Sequence, residues 1–283
     1  MSQTTGLKRN TIDKYYTKKS VVDQCLTHIK NNIKINSGDL IIEPSAGNGA
    51  FIDGIKSLTN NYKFYDLYPQ HENIEQQDYL ELDYMKLDKY IDGLWLSEEY
   101  NFHVIGNPPF GRQSSLAIKF IKKSCEFADS ISFILPKSFK KDSMKKHFPP
   151  RFHLKFEWDL PKNSFEVDGK DYDVPCVFQI WERLSFKRSV PKKVEPIGFE
   201  FISRDHNPDI SVRRIGVNAG KIDDYIADKS IQSHYFIKFI DGYNQQTIDA
   251  LKQITFEEAG NTVGPKSISK QELILKYNLI LNK

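Results

Sequence analysis

From position 39 onward, short apolar runs alternate with stretches in which apolar residues recur every three or four positions. The runs at 40–43, 62–66, 102–107 and 130–135 read as buried strands, and the segments at 51–58 and 116–127 as amphipathic helices between them. Strand, helix, strand, helix in that order implies a parallel α/β sheet, because parallel neighbours need a long crossover. After Pro149-Pro150 the pattern changes. Two extended runs, 152–160 and 174–182, are joined by a loop at 161–173 containing Asp168-Gly169, and they read as an antiparallel pair closing the sheet. The charged, proline-bearing stretch 184–196 reads as a linker. The boundary is placed there, giving domains 1–185 and 186–283. The second is expected to hold a strand at 210–217, an aromatic run at 234–240, a helix at 245–254 and a terminal helix from Lys270.

Composition narrows the class. The chain has 283 residues, 39 % of them apolar and 27 % charged, with 15 Gly and 13 Pro, which suits one large or two modest folded domains and excludes collagen-like or tail-like chains. Forty basic residues against 37 acids leave a formal charge of +3, too mild to identify a nucleic-acid binder by net charge, so any basic footprint must be local. Cys25, Cys125 and Cys176 are odd in number and lack Cys-x-x-Cys spacing, so neither a disulfide framework nor a thiolate zinc site is indicated. The histidines likewise lack metal-ligand spacing, and no metal is expected. No apolar run approaches the roughly 20 residues that span a bilayer, and positions 1–19 are polar, so an intracellular protein without a membrane partner is expected.

Four segments carry chemistry. Glu43-Pro-Ser-Ala-Gly-Asn-Gly49 follows a strand and opens a helix. Its glycines allow a sharp turn and close approach of a ligand, while the acid repels a pyrophosphate and welcomes an ammonium group. Asp66 ends the next strand, near the position where such sheets set an acid against ribose hydroxyls. Asp78-Tyr79 pairs an acceptor for an adenine amino group with a ring suited to cover the base. Asn107-Pro108-Pro109-Phe110 ends an apolar strand. Two prolines remove two N–H groups, leaving the Asn107 amide and the Pro108 carbonyl to accept from an amine, with Phe110 to stack on a planar group. Singly, each has an ordinary explanation as a tight βα connection, a solvated acid or a turn; their order along the chain lifts them above it.

With these four in order, the sequence over roughly 15–181 resembles the S-adenosylmethionine-dependent amino-methyltransferases marked by Asn/Asp-Pro-Pro-aromatic, the adenine-N6 and glutamine-N5 families. It is most similar to the gamma-class arrangement of DNA adenine methyltransferases. There Tyr15-Tyr-Thr17-Lys-Lys-Ser-Val-Val22 resembles an aromatic-Thr-Pro-x-x-Val-Val element, Lys18 standing at the proline position. The resemblance implies a Rossmann-like class I sheet with a C-terminal antiparallel strand pair, a small α+β module after it, and S-adenosylmethionine as cofactor. It implies that Tyr16, Thr17, Glu43, Ala46, Gly47, Gly49, Asp66, Asp78, Tyr79 and Asn107 bind that cofactor. Asn107, Pro108, Pro109 and Phe110 would then hold the target amine, and Phe165 would pack on the extruded base. Two acceptors on the amine would favour a pyramidal nitrogen aimed at the methyl group for direct in-line displacement, with no metal and no covalent intermediate. A base within a duplex would have to be flipped out.

For the substrate, the stretch 137–155 carries seven lysines and arginines, Lys140 and Lys141 among them, against Asp142 alone. Such runs are usually solvated faces, but this one could neutralise phosphates. Arg213 and Arg214 in the C-terminal module are of the types that read phosphates or base edges. The reading is adenine-N6 methylation of nucleic acid, DNA favoured. RNA adenine-N6 methylation, protein glutamine-N5 methylation and a catalytically silent binding module are the alternatives.

Overall fold

A computed structural model describes residues 15–90 and 100–282. The chain divides into two compact units between Val190 and Pro191.

In the first unit the elements are β1 (Tyr16–Thr17), α1 (Lys19–Asn32), β2 (Leu40–Glu43), α2 (Ile52–Lys56), β3 (Asn61–Asp66), β4 (Glu75–Gln76), β5 (Phe102–Gly106), α3 (Ser115–Phe127), β6 (Ser130–Pro136), α4 (Asp142–Lys145), β7 (Phe152–Asp159), β8 (Phe165–Val167), β9 (Lys170–Tyr172) and β10 (Cys176–Arg183). Seven strands form one sheet in the order β4-β3-β2-β5-β6-β10-β7. Only β10 runs against the others, slotted between β6 and β7 and bonded to both. This is the Rossmann-like α/β sheet, closed by an antiparallel strand pair, that the sequence led us to expect. All of β2 and β6 is buried, as befits parallel strands covered on both faces, and their sequences accordingly show continuous apolar runs. The order reverses between β2 and β5, so the crevice for a ligand opens at the C-terminal ends of these strands. Glu43, Asp66 and Asn107 all lie there.

At the opposite end of the sheet, a buried polar relay ties three strands together. His103 on β5 bonds Ser130 on β6 through Nδ1 (2.7 Å) and Asp39, just before β2, through Nε2 (3.2 Å). Asp39 also accepts the backbone N–H groups of Asn36 and Asn101. Burial alone would raise its pKa, but these hydrogen bonds win and hold it down to about 2.

Two elements differ from expectation. The stretch 161–173 is no simple loop: β8 and β9 form a hairpin turned at Asp168-Gly169, whose positive φ values (51° and 70°) match a tight primed turn. β8 also pairs with β1, Thr17 opposite Phe165. The linker starts later than 184–186, because Arg188 belongs to the first unit. Its guanidinium donates to the carbonyls of Lys145, Phe148 and Phe152 and lies over the Trp181 ring, so the boundary falls at 190/191 rather than 185/186.

The second unit is an antiparallel sheet in the order β11-β14-β12-β13, made of β11 (Phe199–Ile202), β12 (Ile210–Arg213), β13 (Ile222–Asp223) and β14 (His234–Phe239). With α5 (Gln245–Lys252) and α6 (Lys270–Leu281) it shares a core that includes Val212, Ile237, Leu251, Leu273 and Tyr277. Helix α6 starts in a capping box of Ser269 and Glu272. The strand expected over 210–217 stops at Arg213, where the chain turns toward Gly216 (φ 101°).

Candidate active site

Three strand ends and a strap build the site. The turn after β2 is set by Asp66, whose Oδ2 accepts the Gly47 N–H (2.8 Å) while Oδ1 accepts that of Tyr68. Ala46 N–H donates to the Tyr65 carbonyl, so the turn is clamped to β3. Gly47 (φ 53°) and Gly49 (φ 85°) supply the left-handed backbone, and a Cβ at Gly49 would come within 2.7 Å of Ile52.

Glu43 is 2 % exposed, and its Oε2 has no hydrogen-bond partner. Burial, with the Asp66 charge nearby, pushes its pKa up to about 8. A buried, unpartnered acid is costly unless a cationic or hydrogen-bonding ligand completes it. Across from it, Gly106 has φ 154°, and a Cβ there would stand 3.2 Å from Glu43 Cγ, so the step before Asn107 admits only glycine without displacing the acid.

Asn107 is oriented from several sides. Its carbonyl accepts from the Ser45 hydroxyl (3.1 Å), and its Nδ2 donates to Thr17 Oγ1 (3.2 Å) and the Tyr15 carbonyl (3.3 Å). That leaves Oδ1 buried and without a partner, an acceptor waiting for a donor. Pro108 follows, buried, and Phe110 is 8 % exposed, its carbonyl receiving the first N–H groups of α3.

The strap is the segment before α1. Tyr16 lies over Gly47 and donates its hydroxyl to Gln70 Oε1 (2.5 Å), while Gln70 N–H returns to the Gly47 carbonyl. Thr17, Tyr16 and the Asn107 side chain are thereby joined across the glycine turn and the Asn-Pro-Pro segment. Lys18 closes the strap onto the hairpin through its N–H to the Ser164 carbonyl and its ammonium to Asp171 (2.6 Å).

Asp78 accepts the Leu80 N–H through Oδ1 and stays half-buried. Tyr79 corrects an expectation. Its ring is 1 % exposed, stacks on Phe120 and bonds Ser124 on α3, so it is a core residue with no face open to cover a base. Phe165 is likewise fully buried, behind Tyr15. The basic stretch is a second correction. Lys140 turns to Asp159 (2.9 Å) and Glu157, Lys145 to Glu157, Lys137 to Asp159, and Lys155 to Glu182, while Lys141 is 8 % exposed. The acids come from β7 and β10, beyond the window in which the lysines look unopposed. Lys146, Arg151 and the ion-paired Lys155 are the exposed members.

In the second unit, backbone bonds gather distant loops around Arg213 and Arg214: Gly216 N–H to the Lys266 carbonyl, Arg214 N–H to that of Ser233, and Ile268 N–H to that of Arg214. Arg214 Nε donates to the Gln232 carbonyl, its guanidinium lies over Tyr235, and Arg213 stays exposed.

Sequence reasoning gave no individual role to Tyr15, Ser45 or Gln70. Ser45 sits inside the glycine segment and Tyr15 beside Tyr16, so position alone could have flagged them; Gln70 carries no local signal. Burial raises the thiols of Cys25, Cys125 and Cys176, Cys125 to about 12, which makes them inert nucleophiles. Among the described residues, no cluster of His, Cys, Asp and Glu is placed to hold a metal, and no helix is long and apolar enough to cross a membrane.

No protein-family model matches the chain. Among curated proteins, ENHANCED DOWNY MILDEW 2 of Arabidopsis thaliana is 26 % identical over 216 residues, which cover 67 % of this chain and 15 % of that protein. The chain thus spans a small part of that relative. Among solved structures, it is similar to a candidate RNA methyltransferase from Pyrococcus horikoshii (17 % identity, TM-score 0.46, 63 % of this chain and 92 % of that one). It is also similar to the 23S rRNA methyltransferase ErmE (12 % identity, TM-score 0.44, 62 % and 71 %). A third is the type I restriction-modification methyltransferase subunit of Streptococcus thermophilus (15 % identity, TM-score 0.42, 60 % and 45 %). The fold itself rests on the strand order: seven strands with the reversed β10 inserted next to last.

Proposed function

We propose that the first unit is an S-adenosylmethionine-dependent methyltransferase whose acceptor is the exocyclic N6 amine of adenine in nucleic acid, DNA favoured. The observation that carries the reading is Asn107 Oδ1: an acceptor buried without a partner, on a side chain whose other end is tied down by Thr17 and Tyr15. Such an atom is poised to take a donor N–H, and the amine of a purine is one. The Pro108 carbonyl, next in the chain, is the second acceptor. Two acceptors draw the amine's hydrogens to one side, turning its lone pair outward and fixing its direction, which is alignment obtained from binding alone.

The residues fit the cofactor. Glu43 carries a buried, unpartnered oxygen suited to an ammonium group, Gly47 and Gly49 keep side chains out of its path, and Asp66 and Asp78 offer carboxylate lone pairs to hydroxyl and amino donors. When bound, S-adenosylmethionine supplies an electrophilic methyl group. The second unit serves in this reading as the target-recognition module, with Arg213 and Arg214 as its first candidates for phosphate or base contact.

Glu43 makes the binding step sensitive to pH. In the free protein its carboxyl is protonated below about 8. A cationic ligand favours the carboxylate, so binding expels a proton. Affinity for S-adenosylmethionine should therefore rise by up to about tenfold per pH unit as pH approaches 8, then level off. Calorimetric titration in buffers of different ionisation enthalpy should show proton release, absent in Glu43→Gln. A flat profile in the native protein would mean that Glu43 does not meet the charge.

The test of function is transfer of label from S-adenosylmethionine to duplex DNA, single-stranded DNA, structured RNA and protein in parallel, followed by nucleoside analysis. N6-methyladenine in DNA is the expected product. Label confined to RNA would keep the chemistry and move the substrate; label in glutamine, or cofactor binding without transfer, would overturn the reading.

A further inference from the structure

We propose that Gln70 is a positioning residue of the cofactor site: it latches Tyr16 over the glycine turn, and release of that latch opens the way to Glu43. This rests on the methyltransferase reading above and adds to it a residue outside the segments that carry the chemistry.

The need for a moving part follows from burial. Glu43 Oε2 and Asn107 Oδ1, the acceptors offered to ligand groups, are both buried and unpartnered, and Glu43 as a whole is 2 % exposed. A ligand that pairs with this acid must displace part of its surround before it binds. The sheet is the stiffest part, since β2 is paired on both sides, with β3 and with β5. The glycine turn is clamped by Ala46 N–H to the Tyr65 carbonyl (2.8 Å) and by Gly47 N–H to Asp66 (2.8 Å). The strap at 15–18 is the element left to yield.

Its ties are unequal. Thr17 is 7 % exposed, accepts from Asn107 Nδ2 and pairs with Phe165, while Lys18 is bound to Ser164 and Asp171. Tyr16 pairs with Glu166 along the strand, so its ring can swing while the backbone stays. That ring is held by one exposed bond, from its hydroxyl to Gln70 Oε1 (2.5 Å). It lies where a Cβ on Gly47 would meet it at 3.5 Å, so a glycine lets it settle on the turn. Gln70 is itself in place because its N–H donates to the Gly47 carbonyl (3.1 Å). One residue thus grips the turn through its backbone and the ring through its side chain. An exposed neutral hydrogen bond exchanges with water at small net cost, so this tie breaks before the strand pairing does. Loosening it raises the open fraction of free and loaded protein alike. Association and dissociation then quicken together while affinity stays near native.

The experiment measures both rates for labelled S-adenosylmethionine on the full chain by rapid filtration, with the thermal midpoint followed on the same samples. Gln70→Ala removes the acceptor and keeps the backbone bond; Tyr16→Phe removes the donor and keeps the ring. Each is expected to raise both rates by about two- to tenfold, the worth of one such bond. The double variant should do no more than either, since both changes break the same contact. A merely structural role would lower the midpoint and leave the rates alone. Native rates in both single variants, effects that multiply in the double variant, or faster dissociation with unchanged association would each overturn the latch and leave the proposed function standing. A native protein that binds no S-adenosylmethionine would overturn the methyltransferase reading, and this inference with it.

Discussion

Replacing Asn107 with alanine is expected to lower methyl transfer by about 10²–10³-fold or more, the usual consequence of removing one preorganised hydrogen-bonding group aimed at the reacting atom. The loss has two parts. The first is the acceptor Oδ1, which has no other role in the structure because it has no other partner. The second is Nδ2, whose bonds to Thr17 and the Tyr15 carbonyl hold the strap over the site. Asn107→Asp separates them: it keeps acceptor oxygens but sets a carboxylate against the Tyr15 carbonyl. Its rate should fall between native and alanine variants. Cofactor affinity should change far less than the rate in the alanine variant, since the glycine turn and Glu43 are held by other contacts. Steady-state kcat with a cofactor titration on the same samples checks this. A rate within threefold of native would remove Asn107 from the chemistry.

The second large effect is on stability, at the other end of the sheet. Asp39→Ala should destabilise the first unit by about 3 kcal/mol or more. It leaves the N–H groups of Asn36 and Asn101 and the His103 ring without their acceptor, at about 1–3 kcal/mol for each buried group left unpaired. The three bonds span the starts of β2 and β5, so the loss is felt by the centre of the sheet. The acid limb of stability should change with it. Asp39 holds its proton less tightly in the folded chain, about 2, than in the unfolded one, so its contribution is full above the ordinary carboxylate range and vanishes as pH falls through about 2. The native protein should therefore lose stability between about pH 4 and pH 2 more steeply than the variant. Trp158 on β7 and Trp181 on β10 belong to this unit, and the second unit has no tryptophan, so tryptophan fluorescence in urea titrations follows the unfolding of the first unit. Equal midpoints for the two proteins would show that the relay carries no net stability.

The elements that rest on local pattern were legible in the residues. Continuous apolar runs marked β2, β5 and β6, the three-to-four spacing marked α3, and the break at Pro149-Pro150 marked the change to the antiparallel pair. Glycines in the turn after β2 announced a positive φ, and the Asn-Pro-Pro segment after β5 holds the buried, unpartnered Asn107 Oδ1. The linker was read five residues early, because a charged stretch looks the same whether its arginine is solvated or, like Arg188, bound to three carbonyls.

What the chain by itself determines is thus the order of strands and helices, the turns that need glycine, and the types of side chain at each strand end. Tertiary structure decided which of those side chains are free to act. The lysines near 140 look unopposed in one dimension, yet meet Asp159, Glu157 and Glu182 once β7 and β10 fold beside them. Tyr79 and Phe165 have the chemistry of stacking rings but are consumed by the core, whereas Tyr15 is brought to Asn107 across 92 positions. Periodicity records which face of an element is buried, because that depends on neighbours one turn or two residues away. Pairing between charges, rings and amides depends on which strands become adjacent, and that is set only when the sheet closes.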